Sequence, residues 1–244
     1  MSRGLGDVYK RQSLQLFDML HSMRQFDDLT YVHSVNVALI ASILGQWLKF
    51  SEKDIRILTI SGLLHDIGKI MIPNEILTKP GKLTVAEYNI MKQHVNFGYE
   101  KVKNQNIDIR IKEACLLHHE KCDGTGYPFG LKSDHIPAVA KIIAIADVYD
   151  AMTSARVYRG ALCPFEVIDT MYKDAFTKFE PEYILPFLKN VASSYINNDV
   201  RLSDGRIGKV VLINENALSL PIVQCEDEFI DLSKTRELTV SAIL

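Results

Sequence analysis

The run Ser61 to Ile72, SGLLHDIGKIMI, limits what this chain can fold into more than any other stretch. It reads as a buried apolar helix that ends on the adjacent pair His65 and Asp66. An imidazole beside a carboxylate is expensive to hide from water unless each is paired or both hold an ion. The same placement recurs at His33, His94, the doublet His118 and His119, and Asp147, all in apolar helical company. Five of the seven histidines belong to this set, and only His21 and His135 lie outside it. Hiding so many ligand-type side chains requires several helices to bring them to one place, so the expectation is a metal site assembled from five helices.

The flanking pattern predicts those helices. Thr30 to Leu48 spaces Val32, Val35, Leu39, Ile43 and Trp47 at helical intervals, which puts that stripe on the core with His33 beside it. Asp54 to Asp66 turns Ile55, Leu58, Leu63 and Leu64 inward and is closed through Gly68, with Pro73 preventing continuation. Thr84 and Glu87 form a capping box for a helix that carries His94 and runs to about Asn104. Asp108 caps IRIKEACLLHHE, and CDGTGYPFGLKSDHIP between Cys122 and Pro137 is a structured loop rich in Gly, Pro and Asp. Ala138 to Ser154 is an apolar helix with Asp147 and Asp150 one turn apart on one face. Pro164 and Pro181 open two more helices that finish near Ser194. From Val200 onward, apolar and polar residues alternate around SDG and NEN turns, which predicts short antiparallel strands. The fold class is therefore mainly α: a disordered tail over 1–12, a helical catalytic domain over 13–195 whose first segment, Ser13 to Gln25, is amphipathic, and a small β appendage over 198–244.

Composition narrows the function. With 244 residues, 47% hydrophobic, the chain can bury a real core, while a net charge of −2 excludes a general nucleic-acid binder. An anionic substrate must then be held by local positive charge, bound metal included. The four cysteines form no CxxC pair, no secretory leader is visible, and no apolar run approaches the roughly 20 residues of a membrane span, all of which fits a cytoplasmic protein. Neutral imidazoles with carboxylates suit iron, manganese or zinc and not calcium. Seven such ligands are too many for one four-coordinate ion and suit two. Two metals about 3.5 to 4 Å apart, sharing a carboxylate and a hydroxide, are a common device for phosphoester hydrolysis.

YVHSVN at Tyr31 to Asn36, HDIGKI with Pro73 close behind, KQH at Lys92 to His94, HHE followed by DGTGYP, and ADVYDAMTSARVYR form an ordered set. That set resembles the HD-GYP family of bacterial HD-superfamily phosphodiesterases, from about Asp27 to Phe187. The resemblance implies an HD-domain helical bundle in which His33, His65 and Asp147 hold one metal, His94, His118 and His119 hold the other, and Asp66 bridges both. It implies that Asp66 and Lys69 are catalytic, with the Lys69 ammonium near a substrate phosphate. Arg156 and Arg159 would clamp the second phosphate, and Gly126, Tyr127 and Pro128 would wall the substrate pocket. Asp150 joins the substrate-binding group and is expected to orient the ligands or Lys69. The implied reaction opens cyclic di-GMP to linear pGpG, often onward to GMP, by in-line attack of a metal-bridging hydroxide. Some members carry a third metal on a glutamate four residues before the first histidine; Leu29 stands there, so two ions are expected. Iron or manganese leads, with zinc, nickel or cobalt acceptable to the same donors. The implied partners are a cyclic dinucleotide, a second copy of the chain and an upstream sensory domain. The competing expectations are a phosphohydrolase of another cyclic dinucleotide or nucleotide, and a receptor that binds cyclic di-GMP without cleaving it.

Overall fold

The computed structural model describes Met23 and residues 28–154, 162–235 and 237–244. Apart from Met23, the amphipathic segment expected over Ser13 to Gln25 lies outside the described residues. The chain divides into two compact units, Met1–Asp150 and Ala151–Leu244. The described architecture is mainly helical, with one small antiparallel sheet towards the C-terminus.

In the first unit, α1 (Asp28–Trp47) packs on α2 (Glu52–Leu64), whose N-cap Ser51 accepts the Asp54 N–H at 3.2 Å. A 3-10 turn over Ile67–Met71 follows, then α3 (Asn74–Leu77), α4 (Val85–Met91), α5 (His94–Val102), α6 (Ile109–Leu117) and α7 (Ala138–Thr153). The core is formed by Val37, Ala41, Leu44, Leu58, Leu64, Ile67, Val95, Ala114, Ile142 and Ile145.

Four local expectations are corrected. On α1 the large apolar stripe faces outward, with Val32 53% and Leu39 59% exposed, while His33, Ser34, Val37, Ala38, Ala41, Leu44 and Gly45 are buried. Small side chains let α1 approach α2 closely, so Ser34, Ala38, Ala41 and Gly45 share the inner face with Val37 and Leu44. On α2, likewise, Ile57, Leu58, Ser61, Gly62 and Leu64 are buried, whereas Ile55 and Leu63 are only half-buried.

The helix expected to run from the Thr84 capping box to Asn104 is broken at Lys92 and Gln93, although the capping box itself is present. At the break the Gln93 N–H bonds back only three residues to the Ile90 carbonyl, at 3.0 Å, and the Met91 carbonyl accepts from the His94 ring. Helix α2 ends at Leu64 rather than through Gly68. Gly68 has a different purpose: a Cβ there would sit 1.9 Å from the His94 carbonyl oxygen and 2.4 Å from the Gly98 nitrogen. Only glycine lets the 3-10 turn lie directly on α5.

α1 has the length and hydropathy of a marginal membrane span, although polar residues interrupt its apolar ones. Its buried inner face, with His33 on it, is that of a core helix.

In the second unit, α8 (Pro164–Lys173) and α9 (Pro181–Ser194) each carry proline in the first turn, where the missing N–H has no helical acceptor to lose. Five strands follow: β1 (Asp199–Leu202), β2 (Ile207–Leu212), β3 (Ile222–Cys225), β4 (Glu228–Asp231) and β5 (Val240–Ile243). They form one antiparallel sheet in the order β4-β3-β2-β1-β5. Val200, Leu202, Val210 and Val223 point inward at alternate positions, and Phe165, Ile168, Phe187 and Leu188 supply the buried side chains of the helices.

Candidate metal centre

Five helices of the first unit deliver the candidate ligands. His33 comes from α1, His65 and Asp66 follow the end of α2, His94 opens α5, His118 and His119 follow the end of α6, and Asp147 lies on α7. Asp66 is at the middle, 1% exposed. Its Oδ2 lies 3.2 Å from His65 Nε2 and 3.7 Å from His33 Nε2, and its Oδ1 lies 3.3 Å from His94 Nε2 and 3.8 Å from His118 Nε2. His33 Nε2 is also 3.0 Å from Asp147 Oδ1, and His119 Nδ1 is 3.8 Å from Asp147 Oδ2. Two overlapping groups of donor atoms result, each within 4.8 Å: His33, His65 and Asp66, and then Asp66, His94, His118 and His119.

The far side of each ring explains why these nitrogens point inward. His65 Nδ1 donates to the Gly62 carbonyl at 2.8 Å, His94 Nδ1 to the Met91 carbonyl at 2.8 Å and His118 Nδ1 to the Ala114 carbonyl at 2.9 Å. A carbonyl can only accept, so each of these rings carries its proton on Nδ1 and turns an Nε2 lone pair to the centre. His33 Nδ1 is held by Asp150 Oδ2 at 2.6 Å, and Asp150 Oδ1 in turn accepts from Asn36 Nδ2 at 2.9 Å. Asp150 therefore faces His33 and Asn36, the geometry of a residue that orients a ligand. Lys69 Nζ pairs with Asp66 Oδ2 at 2.5 Å.

Burial opposes charge throughout the cluster, and the neighbours decide the outcome. Burial pushes Asp66 up, but the His65 ring and the Lys69 ammonium outweigh it and hold the carboxyl well below its ordinary range. Asp147 is likewise raised by burial and brought well below its range by the His33 hydrogen bond and by His119. Burial lowers His94 and drives His118 well down, with His119 and His65 adding to the effect on His118. His119 is pushed down to about 3, chiefly by burial. His33 goes the other way: burial would lower it, but hydrogen bonds to Asp147 and Asp150 raise it to about 9.

These residues fit a cation. His94 Nε2 and His118 Nε2 are 3.4 Å apart with both protons committed to Nδ1, so two lone pairs face one another inside the protein. His65 Nε2 and Asp66 Oδ1 are buried without a hydrogen-bond partner. Lone pairs gathered in this way are costly alone and are satisfied by a shared divalent ion.

The structure brings together His33, His65, Asp66, Lys69, His94, His118, His119, Asp147 and Asp150. Beside them, Tyr127 stacks on His119 at 4.7 Å between ring centroids and meets His94 and Tyr88 edge-on at 6.5 Å. Gly126 and Pro128 flank it in the loop after α6. Arg156 and Arg159 lie outside the described residues. Sequence reasoning includes Asn36 and Glu120 in its motifs but assigns neither a role. The role of Asn36 could have been found, because it stands one helical turn after His33 on the face turned to Asp150.

Comparison with known proteins gives a consistent picture. The family profile described as HD domain matches residues 13–183. A cyclic di-GMP phosphodiesterase of Pseudomonas aeruginosa is 36% identical over 203 residues, covering 83% of this chain and 49% of that protein. The cyclic di-GMP phosphodiesterase response regulator RpfG of Xanthomonas campestris pv. campestris is 36% identical over 190 residues, 77% of this chain and 50% of that protein. The 3'3'-cGAMP-specific phosphodiesterase 1 of Vibrio cholerae is 40% identical over 145 residues, 58% of this chain and 33% of that protein. This chain thus spans about half the length of the curated relatives it matches first. Among solved structures, the HD domain of the L. monocytogenes phosphodiesterase PgpH in complex with cyclic-di-AMP superposes with a TM-score of 0.56 at 18% identity, covering 72% of this chain and 95% of that one. At that identity the likeness speaks for the fold alone.

Proposed function

Because this chain belongs to the HD domain family, whose profile spans residues 13–183, we propose that it is a metal-dependent phosphodiesterase that hydrolyses cyclic di-GMP to linear pGpG and GMP. The observation that carries the reading is the inward convergence of imidazole nitrogens on the buried Asp66 carboxylate, with His33, His65, His94 and His118 each pinned from behind. Relatives named cyclic di-GMP phosphodiesterases support the substrate class. His33, His65 and Asp147 would hold one ion and His94, His118 and His119 the other, with Asp66 between them. Iron or manganese is the expected metal, since borderline nitrogen and oxygen donors suit both. A bound pair supplies hydroxide at neutral pH and neutralises charge on the phosphoryl group.

The chain's own residues do the rest. Asp150 fixes the His33 ring through Nδ1, so its Nε2 lone pair is kept for the site. Lys69, 19% exposed at its side chain, is the cation beside Asp66 and serves to donate to a phosphate oxygen as charge develops there. Gly126, Tyr127 and Pro128 form the wall against which the nucleotide lies. Arg156 and Arg159, which the family resemblance makes a clamp for the second phosphate, lie outside the described residues. In this reading residues 13–195 perform the catalysis in the cytoplasm, 198–244 are an appended sheet, and 1–12 are a tail.

The test is direct. Protein loaded anaerobically with Fe(II) or Mn(II) should convert cyclic di-GMP to pGpG or GMP, and His65→Ala and Asp66→Ala should each abolish conversion. Unchanged turnover in either variant would defeat the site assignment. The cGAMP-specific relative favours one second reading, hydrolysis of a different cyclic dinucleotide. A side-by-side panel of cyclic di-GMP, 3'3'-cGAMP and cyclic di-AMP decides between them by kcat/KM.

A further inference from the structure

Glu120 closes the HHE stretch and has no part in the scheme above. It is 3% exposed and makes no contribution to either donor group. Its carboxylate is directed instead at the backbone of the following loop: Oε1 accepts the Phe129 N–H at 2.7 Å and Oε2 accepts the Leu131 N–H at 2.9 Å. Two further features tie the same loop to the same short segment. Tyr127 N–H donates to the His119 carbonyl at 3.2 Å. Gly126 lies flat on the chain there, since a Cβ would come within 2.4 Å of Glu120 Cα and 2.5 Å of the His119 oxygen. Further along, Leu131 packs against the Leu117, Ile136 and Ala140 cluster and Lys132 bridges to Asp123, whereas Phe129 is 62% exposed and Gly130 lies in the left-handed region at φ +67°. The buried carboxylate ties down the backbone directly after Pro128 through the Phe129 and Leu131 amides, and charge-assisted bonds to backbone amides are the strong kind.

We propose that Glu120 is a positioning residue. It clamps the DGTGYP loop so that the Tyr127 ring stays stacked on His119 as one wall of the nucleotide pocket, and it thereby sets substrate affinity rather than the chemical step. This rests on the cyclic dinucleotide reading above. Glu120→Gln keeps the shape and one acceptor but turns an NH2 towards one of the two amides, leaving donor against donor.

In the metal-loaded full chain, Glu120→Gln should raise KM for cyclic di-GMP by roughly tenfold, the scale of one lost base–aromatic contact, with kcat within about threefold of the parent. Metal per chain should not change. In a Tyr127→Ala background the same substitution should add less than about twofold, because both changes then remove one effect. An unaltered KM, an additive double variant, or a KM effect that follows metal loss would each overturn the clamp. Amide exchange in the unsubstituted protein gives a readout that does not depend on the variant folding: Phe129 and Leu131 should be protected, and free-chain rates at both would overturn the proposal. If Glu120→Gln does not fold, Tyr127→Ala alone must raise KM to a similar degree, and failure to do so counts equally against it. An unsubstituted protein that turns over no cyclic dinucleotide would sink the functional reading. Turnover with an unaltered KM in Glu120→Gln would sink only the clamp.

Discussion

Gly68→Ala adds one methyl group and removes no ligand, yet it should break the metal site. The new Cβ would lie 1.9 Å from the His94 carbonyl oxygen, 1.5 Å short of the 3.4 Å at which ordinary contact begins. The neighbouring atoms are backbone, so no side chain can swing away. Relief therefore requires the turn carrying Asp66 and Lys69 to move off α5, which carries His94. Metal–ligand distances tolerate only about 0.2 Å, so a displacement several times larger should uncouple His94 from Asp66. Overpacking costs about 1 to 3 kcal/mol, and contact with rigid backbone puts this case near about 3 kcal/mol. At roughly 2 to 4 °C per kcal/mol for a chain of this size, Tm should fall by about 6 to 12 °C. A misplacement near 1 Å should lower turnover about 100-fold. Calorimetry, metal analysis and turnover on one preparation measure all three. A variant with parental Tm and full metal content would refute the claim that this glycine sets the distance between the two halves of the site.

Other outcomes follow from the hydrogen bonds and charges around the ligands. Asp150→Asn should leave the fold intact but weaken metal binding or activity by about 10- to 100-fold, as loss of a ligand's supporting partner usually does; unchanged metal affinity would show that His33 needs no orienting carboxylate. With the site empty, His33 is raised to about 9 and is protonated at pH 7.5, so metal loading should release about one proton, measurable by calorimetry in buffers of different ionisation enthalpy. That release should fade as pH rises through 9, and its absence at pH 7.5 would contradict the assignment of His33 as a ligand. The metal-free protein should lose stability on both sides of about pH 6.5, the ordinary histidine value. On the acid side, the lowered His118 and His119 leave the unfolded chain holding more protons; on the alkaline side, the stabilising charge on His33 is lost as pH approaches 9. Thermal scans in chelator check this, and a flat profile from pH 5 to 9 would count against it.

The site was more legible in the sequence than the surfaces that build it. His33, His65, Asp66, His94, His118, His119 and Asp147 stand out because ligand-type residues are rare in apolar helices, and the folded chain gathers them around Asp66. The mainly helical class and the C-terminal strands also followed from apolar periodicity. The inner face of α1 did not, because close packing selects Ser34, Ala38 and Gly45 there, while hydrophobicity ranks Val32 and Leu39 above them. The break before His94 was hidden because residues on both sides are good helix formers, while the His94 ring takes the Met91 carbonyl and Gln93 N–H bonds back to Ile90, a local rearrangement that apolar periodicity does not register. Glu120 stands in the HHE motif, but its place in the sequence does not show that its carboxylate turns to the Phe129 and Leu131 amides.

In the proposed centre Asp66 stands between two ions, each completed by its own set of imidazoles. Anomalous diffraction from crystals loaded with Mn(II) would locate those ions. Two peaks should appear about 3.5 to 4 Å apart, one among His33, His65, Asp66 and Asp147 and the other among Asp66, His94, His118 and His119. A single peak that leaves either histidine group without metal, or no peak in this cluster at saturating Mn(II), would contradict the account.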